Sequence, residues 1–299
     1  MTLWQEWHEE YRRSLKPREL EELADLLFCR PPAFVIAKAL KRTPVTPDAV
    51  SLFAVLWSLV VSACYWQGHY VASLLGATAY FAWNILDCVD GQLARMRGGG
   101  SPIGHIIDEV ADVLSTIALW VGIAHHLTVQ RPGEHNWWLL SVVTGLVMAI
   151  ECSVLEGKRH EWMARVLGIR KSVRADLEHV TRVAAGWRAE RTHLFGRFVI
   201  GFYVGMRWLQ HVYLPPSADP VYGTADNTRW AKYHRKALRM SSWLGPTTQM
   251  CILLACTAVN RVDAYLWIVL FVGIPWMMLV YVVTWIARHQ EQHEQVEGT

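Results

Sequence analysis

Six mostly apolar stretches, at roughly 47–67, 70–96, 102–127, 137–157, 242–260 and 263–287, constrain what this chain can fold into. Each is close to the twenty or so residues an α-helix needs to cross a bilayer. The pattern predicts an all-α, polytopic membrane protein with about six transmembrane helices. Composition agrees: the 299 residues are 53% hydrophobic and include 16 tryptophans, and the mean hydropathy is +0.16. A soluble domain of this size is rarely so apolar, and here the apolar residues come in runs. The charged opening, Met-Thr-Leu-Trp-Gln-Glu-Trp-His-Glu-Glu, lacks the short apolar core of a signal peptide, so insertion is expected to rely on the internal segments.

Four regions follow. Residues 1–46 read as amphipathic membrane-surface helices: Trp4, Trp7, Tyr11 and Leu15 share a face, Leu20, Leu23 and Leu27 form a second stripe, and Phe34, Ala37 and Leu40 form a third beside Lys38, Lys41 and Arg42. Thr46-Pro47 is a good helix start, and residues 47–157 hold the first four spans. Residues 158–241 form a basic, helical cytoplasmic or interfacial insert, and 242–299 hold the last two spans and a tail. Within the insert, Gly196 to Leu214 is apolar but contains Arg197, Arg207 and His211, which favours a surface-lying or re-entrant helix. With six crossings, all the basic connections fall on one side, which places both termini in the cytoplasm. Trp66, Trp137, Trp138 and Trp230, near segment ends, read as interfacial anchors. The six cysteines form no Cys-x-x-Cys pair and read as small hydrophobes.

Carboxylates are expensive in such surroundings, yet the second and third segments carry four. The stretch reads Asp87-Cys-Val-Asp90-Gly91-Gln-Leu-Ala94-Arg95, then eight residues, then Gly104-His-Ile-Ile-Asp108-Glu-Val-Ala-Asp112. Helical spacing puts Asp87, Asp90, Gly91 and Ala94 on one face, and Gly104, Asp108 and Asp112 on another. Between them, Gly98-Gly99-Gly100-Ser101-Pro102 cannot continue a helix, so the two faces meet across a tight antiparallel hairpin. Oxygen-only ligands select a hard cation such as Mg²⁺, Mn²⁺ or Ca²⁺. Gly91 and Ala94 leave room for a ligand near the backbone, and Arg95 is a phosphate partner beside them. Together these suggest nucleotide or diphosphate chemistry.

The stretch resembles the signature of the CDP-alcohol phosphotransferase family, Asp-x2-Asp-Gly-x2-Ala-Arg-x8-Gly-x3-Asp-x3-Asp, with every specified residue and spacing present. The resemblance implies an integral-membrane phospholipid synthase dependent on one or two Mg²⁺ or Mn²⁺ ions. It carries over Asp87, Asp90 and Asp108 as metal ligands, Asp112 as general base and possible second-metal ligand, and Gly91, Ala94, Arg95 and Gly104 as the CDP site. Pro47-Asp48-Ala49-Val50-Ser51 partly matches the family's Pro-Asn-x-x-Thr, which brings Asp48 to the nucleotide. It further implies a CDP-linked lipid donor, CDP-diacylglycerol in first place, a small polar alcohol acceptor, release of CMP, a homodimer, and a bacterial or archaeal inner or plasma membrane with the site facing the cytoplasm.

Four residues outside the motif are acceptor-site candidates. Glu151 is a carboxylate within the fourth apolar segment, and Arg235, Lys236 and Arg239 precede the fifth, where the alternative is attraction to anionic lipid. The basic insert is interleaved with apolar stripes, which points to membrane lipids rather than nucleic acid. Two other functions compete. Asn84-x2-Asp87-x2-Asp90 echoes a Mg²⁺-dependent intramembrane prenyltransferase, although Gly91, Ala94, Arg95 and Gly104 are then unexplained. A non-enzymatic cation transporter is the other, without any inverted repeat to support it.

Overall fold

A computed structural model of the chain describes residues 3–99, 104–168, 200–205 and 227–297, and among these the backbone is helical with no strand. In chain order the helices are α1 (Leu3–Ser14), α2 (Arg30–Leu40), α3 (Pro47–Trp66), α4 (Tyr70–Met96), α5 (Gly104–Gln130), α6 (Trp137–Val166), α7 (Asn227–Ser241), α8 (Pro246–Ala258), α9 (Val262–Ile268) and α10 (Ile274–Glu297). One π-helical turn, Asp25–Cys29, leads into α2, and another, Val269–Gly273, joins α9 to α10. Most of the basic insert, including all but 200–205 of the apolar stretch at 196–214, lies outside the described residues.

All six apolar segments are helical. By length and composition α3, α6 and the run Val262–His293 can cross a membrane. Helices α4 and α5 have 27 residues each, about 40 Å at 1.5 Å per residue, but carry the charged motif at one end. Several expected boundaries move: the third and sixth segments run on to Gln130 and Glu297, and two further shifts have local causes. The fifth segment is shorter than 242–260, because Ser242–Leu244 forms a 3₁₀ turn and Gly245 is extended (ψ 161°), so α8 starts only at Pro246. The fourth runs past 157 to Val166, held by buried Arg159 and Trp162, so the boundary drawn between 157 and 158 falls inside a helix.

Helix α3 lies between α4 and α5, and Tyr65 explains the closeness. Its ring is fully buried, and its hydroxyl meets Thr257 Oγ1 at 3.0 Å. A Cβ on Gly76 of α4 would lie 3.0 Å from that ring, and one on Gly122 of α5 would lie 2.7 Å from the Ser62 carbonyl oxygen. Small residues at such crossings let backbones approach in lipid, where packing rather than water exclusion drives association. Gly122→Val is expected to push α3 from α5 and cost about 1–3 kcal/mol of stability, read as a lower unfolding midpoint of the purified protein. An unchanged midpoint would mean that the contact is not tight.

The helices alternate in direction, which gives the bundle two ends. At one, His125 stacks on Trp66, Gln130 Nε2 donates to the Gly68 carbonyl at 2.6 Å, Tyr70 donates to Ala258, and Arg131 pairs with Asp263 at 3.2 Å. At the other, Gly98 and Gly99 turn the chain with φ +85° and +133°, values that only glycine adopts readily. There Arg97 donates to the carbonyls of Leu40, Thr43 and Val45, fastening the α2–α3 connection to the hairpin. Thr46 caps α3, its hydroxyl accepting from Ala49 N.

The N-terminal region departs most from expectation. Trp7 and Tyr11 of α1 do pack on Phe34, and Lys38 and Lys41 bind Glu10, holding its carboxyl below the usual range. The Leu20, Leu23 and Leu27 stripe, however, does not exist as one face: Leu20 is buried while Leu23 and Leu27 are exposed. The acidic side turns inward instead. Glu21 and Asp25 pair with buried Arg30, Asp25 accepts from Thr247 at 2.6 Å, and Glu22 pairs with Arg159 at 3.4 Å. Burial and nearby Asp25 push the Glu22 carboxyl up to about 8 despite Arg159. Inward acids find cations and a helix start there, and outward leucines face lipid. The aromatic anchors also divide: Trp66 and Trp138 are exposed, but Trp137 is buried with its N–H on the Arg131 carbonyl, and Trp230 is buried against Trp162.

Outside this core, exposed apolar side chains cover α3 (Leu52, Phe53, Leu56), α6 (Leu139, Val142, Leu146) and α10 (Met278, Leu279, Val282). Surfaces of this kind are stable against hydrocarbon and not against water. The chain is an integral membrane protein.

Candidate metal centre

The hairpin of α4 and α5 brings the motif together. One carboxylate oxygen from each of Asp87, Asp90 and Asp108 lies within 4.8 Å of the others. Asp90 is buried, whereas Asp87, Asp108 and Asp112 are half-buried. Asp112 is not one of the three; it comes within hydrogen-bonding reach of Asp87, as Asp108 does of Asp90. Carboxylates this close repel one another unless a proton or cation stands among them. The donor set fits a metal ion: it is oxygen only, and two oxygens bound to one hard cation at 2.0–2.6 Å can be no more than about 5 Å apart.

Several neighbours complete the site. Ser51 of α3 donates its hydroxyl to Asp90 Oδ2 at 2.6 Å, orienting that carboxylate. Ser51, not among the expected site residues, occupies the Thr position of the partial Pro-Asn-x-x-Thr match, which is the signal in the sequence that points to it. Asp48 itself is half-buried in the first turn of α3, one turn before Ser51. The charges of Arg30 and of exposed Lys16 both reach Asp87, and that of Lys16 also reaches Asp108. If Ser51 orients a metal ligand, Ser51→Ala should weaken divalent-ion affinity by about 10-fold or more, read as the ion concentration that gives half-maximal binding. An unchanged affinity would leave Ser51 a packing residue.

Arg95 is fastened by its Nε, which donates to the Ser14 carbonyl at 2.5 Å, while among the described residues its buried Nη2 has no hydrogen-bond partner. A Cβ on Gly91 would meet that guanidinium at only 3.4 Å, an ordinary contact. The protein's own packing therefore does not demand glycine there, and the missing side chain leaves space beside an unused donor. Ala94 lies on the same side of α4, half-buried, and Gly104 is the first residue of α5, one turn before Asp108.

The acceptor-site candidates lie elsewhere. Glu151 is fully buried, accepts from Gln249 Nε2 at 2.8 Å, and its other oxygen abuts Gly273 of the π-helical turn. Arg235, Lys236 and Arg239 are exposed on α7, which packs on α6 and α10 and not on the aspartate-bearing helices.

Known proteins bear on the chemistry. Residues 44–186 match the family model of CDP-alcohol phosphatidyltransferase. The chain is similar to phosphatidylinositol phosphate synthase of Cutibacterium acnes, 29% identical over 155 residues that cover 50% of this chain and 70% of the relative. It is also similar to the protein of that name from Mycobacteroides abscessus, 33% identical over 89 residues (29% and 39%). To cholinephosphotransferase 1 of Gallus gallus it is 26% identical over 114 residues (38% and 31%). The chain thus spans well under half the length of the last two relatives. The match is in line with the transferase reading rather than with the prenyltransferase or transporter one.

Proposed function

We propose that this membrane enzyme moves an alcohol-bearing phosphoryl group from a CDP-alcohol to an acceptor hydroxyl and releases CMP, a reading supported by the match of residues 44–186 to the CDP-alcohol phosphatidyltransferase family model. The observation that carries the reading is the meeting of three carboxylate oxygens from α4 and α5 within 4.8 Å, beside Asp112. Asp87, Asp90 and Asp108 would hold a divalent ion, Mg²⁺ or Mn²⁺, and Asp112 would border a second. Such an ion, when bound, neutralises diphosphate charge and orients the group in flight. Arg95 Nη2 donates to a phosphate oxygen, and the bare surface at Gly91 and Ala94 takes the nucleotide, with Gly104 and Asp48 at its border. Asp112 accepts the acceptor's hydroxyl proton. The freed oxygen attacks the phosphorus that bears the alcohol, the bond from that phosphorus to the bridging oxygen breaks, and CMP leaves with that oxygen.

CDP-diacylglycerol is the proposed donor and a polar alcohol, such as a phosphorylated polyol, the acceptor. Relatives named for making phosphatidylinositol phosphate support this order. Relatives named cholinephosphotransferase favour the converse, a soluble CDP-alcohol and a lipid acceptor. The site and both termini are placed at the cytoplasmic face, in a homodimer. Vesicles containing the protein should release CMP from CDP-diacylglycerol with inositol phosphate or glycerol phosphate, or from CDP-choline with diacylglycerol. A chelator should stop release, and Mg²⁺ or Mn²⁺ should restore it. No acceptor-dependent CMP from either donor would sink the proposal.

A further inference from the structure

Helix α7 carries four exposed cations, Lys232, Arg235, Lys236 and Arg239, along one side of a groove closed by Trp243 and by Trp276 of α10. The groove holds about 370 Å³. Its opposite, buried side packs Trp230, Ala231, His234, Ala237 and Leu238 into the bundle, so the cations are held in a row by a fixed helix. Among the described residues none of the four has a carboxylate partner. Lys232 lies over the Tyr233 ring at 5.3 Å and Arg235 over Trp162 at 5.8 Å, while among the described residues Lys236 and Arg239 have no charge or ring partner.

Helix α7 ends at Ser241, and the 3₁₀ turn Ser242–Leu244 with extended Gly245 makes a corner before α8 starts at Pro246. Trp276 confirms the corner's contact with the span by donating its N–H to the Met240 carbonyl at 3.0 Å. Next to it on α10, Met278 and Leu279 are exposed. A row of exposed cations attracts an anion, and the apolar surface of α10 flanking the groove faces lipid, so an anionic lipid brings its phosphate to the cations with its acyl chains beside α10.

We propose that this groove is a binding site for an anionic phospholipid of the surrounding bilayer, with its phosphate among the α7 cations and its chains against α10. This site is separate from the aspartate centre, and it stands or falls independently of the transfer reaction, because its test needs no turnover. The full chain, purified in detergent, is presented with equal amounts of phosphatidylglycerol and phosphatidylcholine, and the retained lipid is counted by native mass spectrometry. The wild-type protein should retain phosphatidylglycerol in preference. Lys236→Gln and Arg239→Gln should each weaken that preference by about fivefold, and neutralising all four cations should abolish it. If the fourfold variant does not fold, the single variants carry the test. Arg12→Gln combined with Arg13→Gln, which removes exposed cations of α1, should leave the preference intact. An unchanged preference in the α7 variants, an equal loss in the α1 variant, or displacement of the lipid by millimolar inorganic phosphate would each overturn the assignment.

Discussion

Asp112→Asn is expected to lower turnover by about 10²–10⁴-fold while divalent-ion affinity stays near that of the wild type. Asp90→Asn is expected to lose ion binding itself. The geometry separates the two residues. Asp90 supplies one of three oxygens that converge within 4.8 Å, whereas Asp112 touches the group only through Asp87. An asparagine at 112 keeps the shape but cannot take a proton. At 90 it removes one of the negative charges that make the cluster attractive to a cation, and it leaves the Ser51 hydroxyl facing an amide. Ion titration by calorimetry alongside CMP release separates the effects. Equal loss of ion binding in both variants would dissolve the proposed division between ligand and base.

Arg30→Met should cost about 3–5 kcal/mol of stability, the largest structural effect expected in the N-terminal region. The Arg30 side chain is 7% exposed and binds Glu21 at 2.9 Å and Asp25 at 3.7 Å, whose side chains are 1% and 10% exposed. Without it two carboxylates remain buried with no cation, and leaving such charges uncompensated costs more than the pair contributes. Combining Arg30→Met with Glu21→Gln and Asp25→Asn should recover much of the loss, because neutral groups no longer need the arginine. The unfolding midpoint of the purified protein measures both. A fall of similar size in the triple variant would show that shape, not charge, makes Arg30 important. Activity should fall with the single substitution as well, since the same segment supplies the Ser14 carbonyl that fastens Arg95.

Much of the scaffold was legible because its signals are local. Apolar length located six helices, Thr46-Pro47 marked the start of α3, and the glycines at 98 and 99 marked the hairpin that joins the motif's two halves. The elements that went astray depend on partners distant in the chain. Leu20, Leu23 and Leu27 have helical spacing, but Arg30, Arg159 and Thr247 are waiting for Glu21, Glu22 and Asp25, and a charge that can be paired settles the orientation. Trp137 and Trp230 look like their interfacial counterparts until a carbonyl and a second tryptophan claim them. The length of α8 turns on Gly245, whose extended conformation no hydropathy profile reports.

Sequence alone determined that this chain is a helical membrane protein and that four aspartates share two helix faces one hairpin apart, because helix period and turn chemistry act over a few residues. Only tertiary structure decided which three oxygens converge, that Ser51 reaches Asp90 from 39 residues away, and that the basic row on α7 faces α10 rather than the aspartates. Those outcomes depend on how separate helices pack, and packing is set by contacts among side chains that no stretch of sequence contains together.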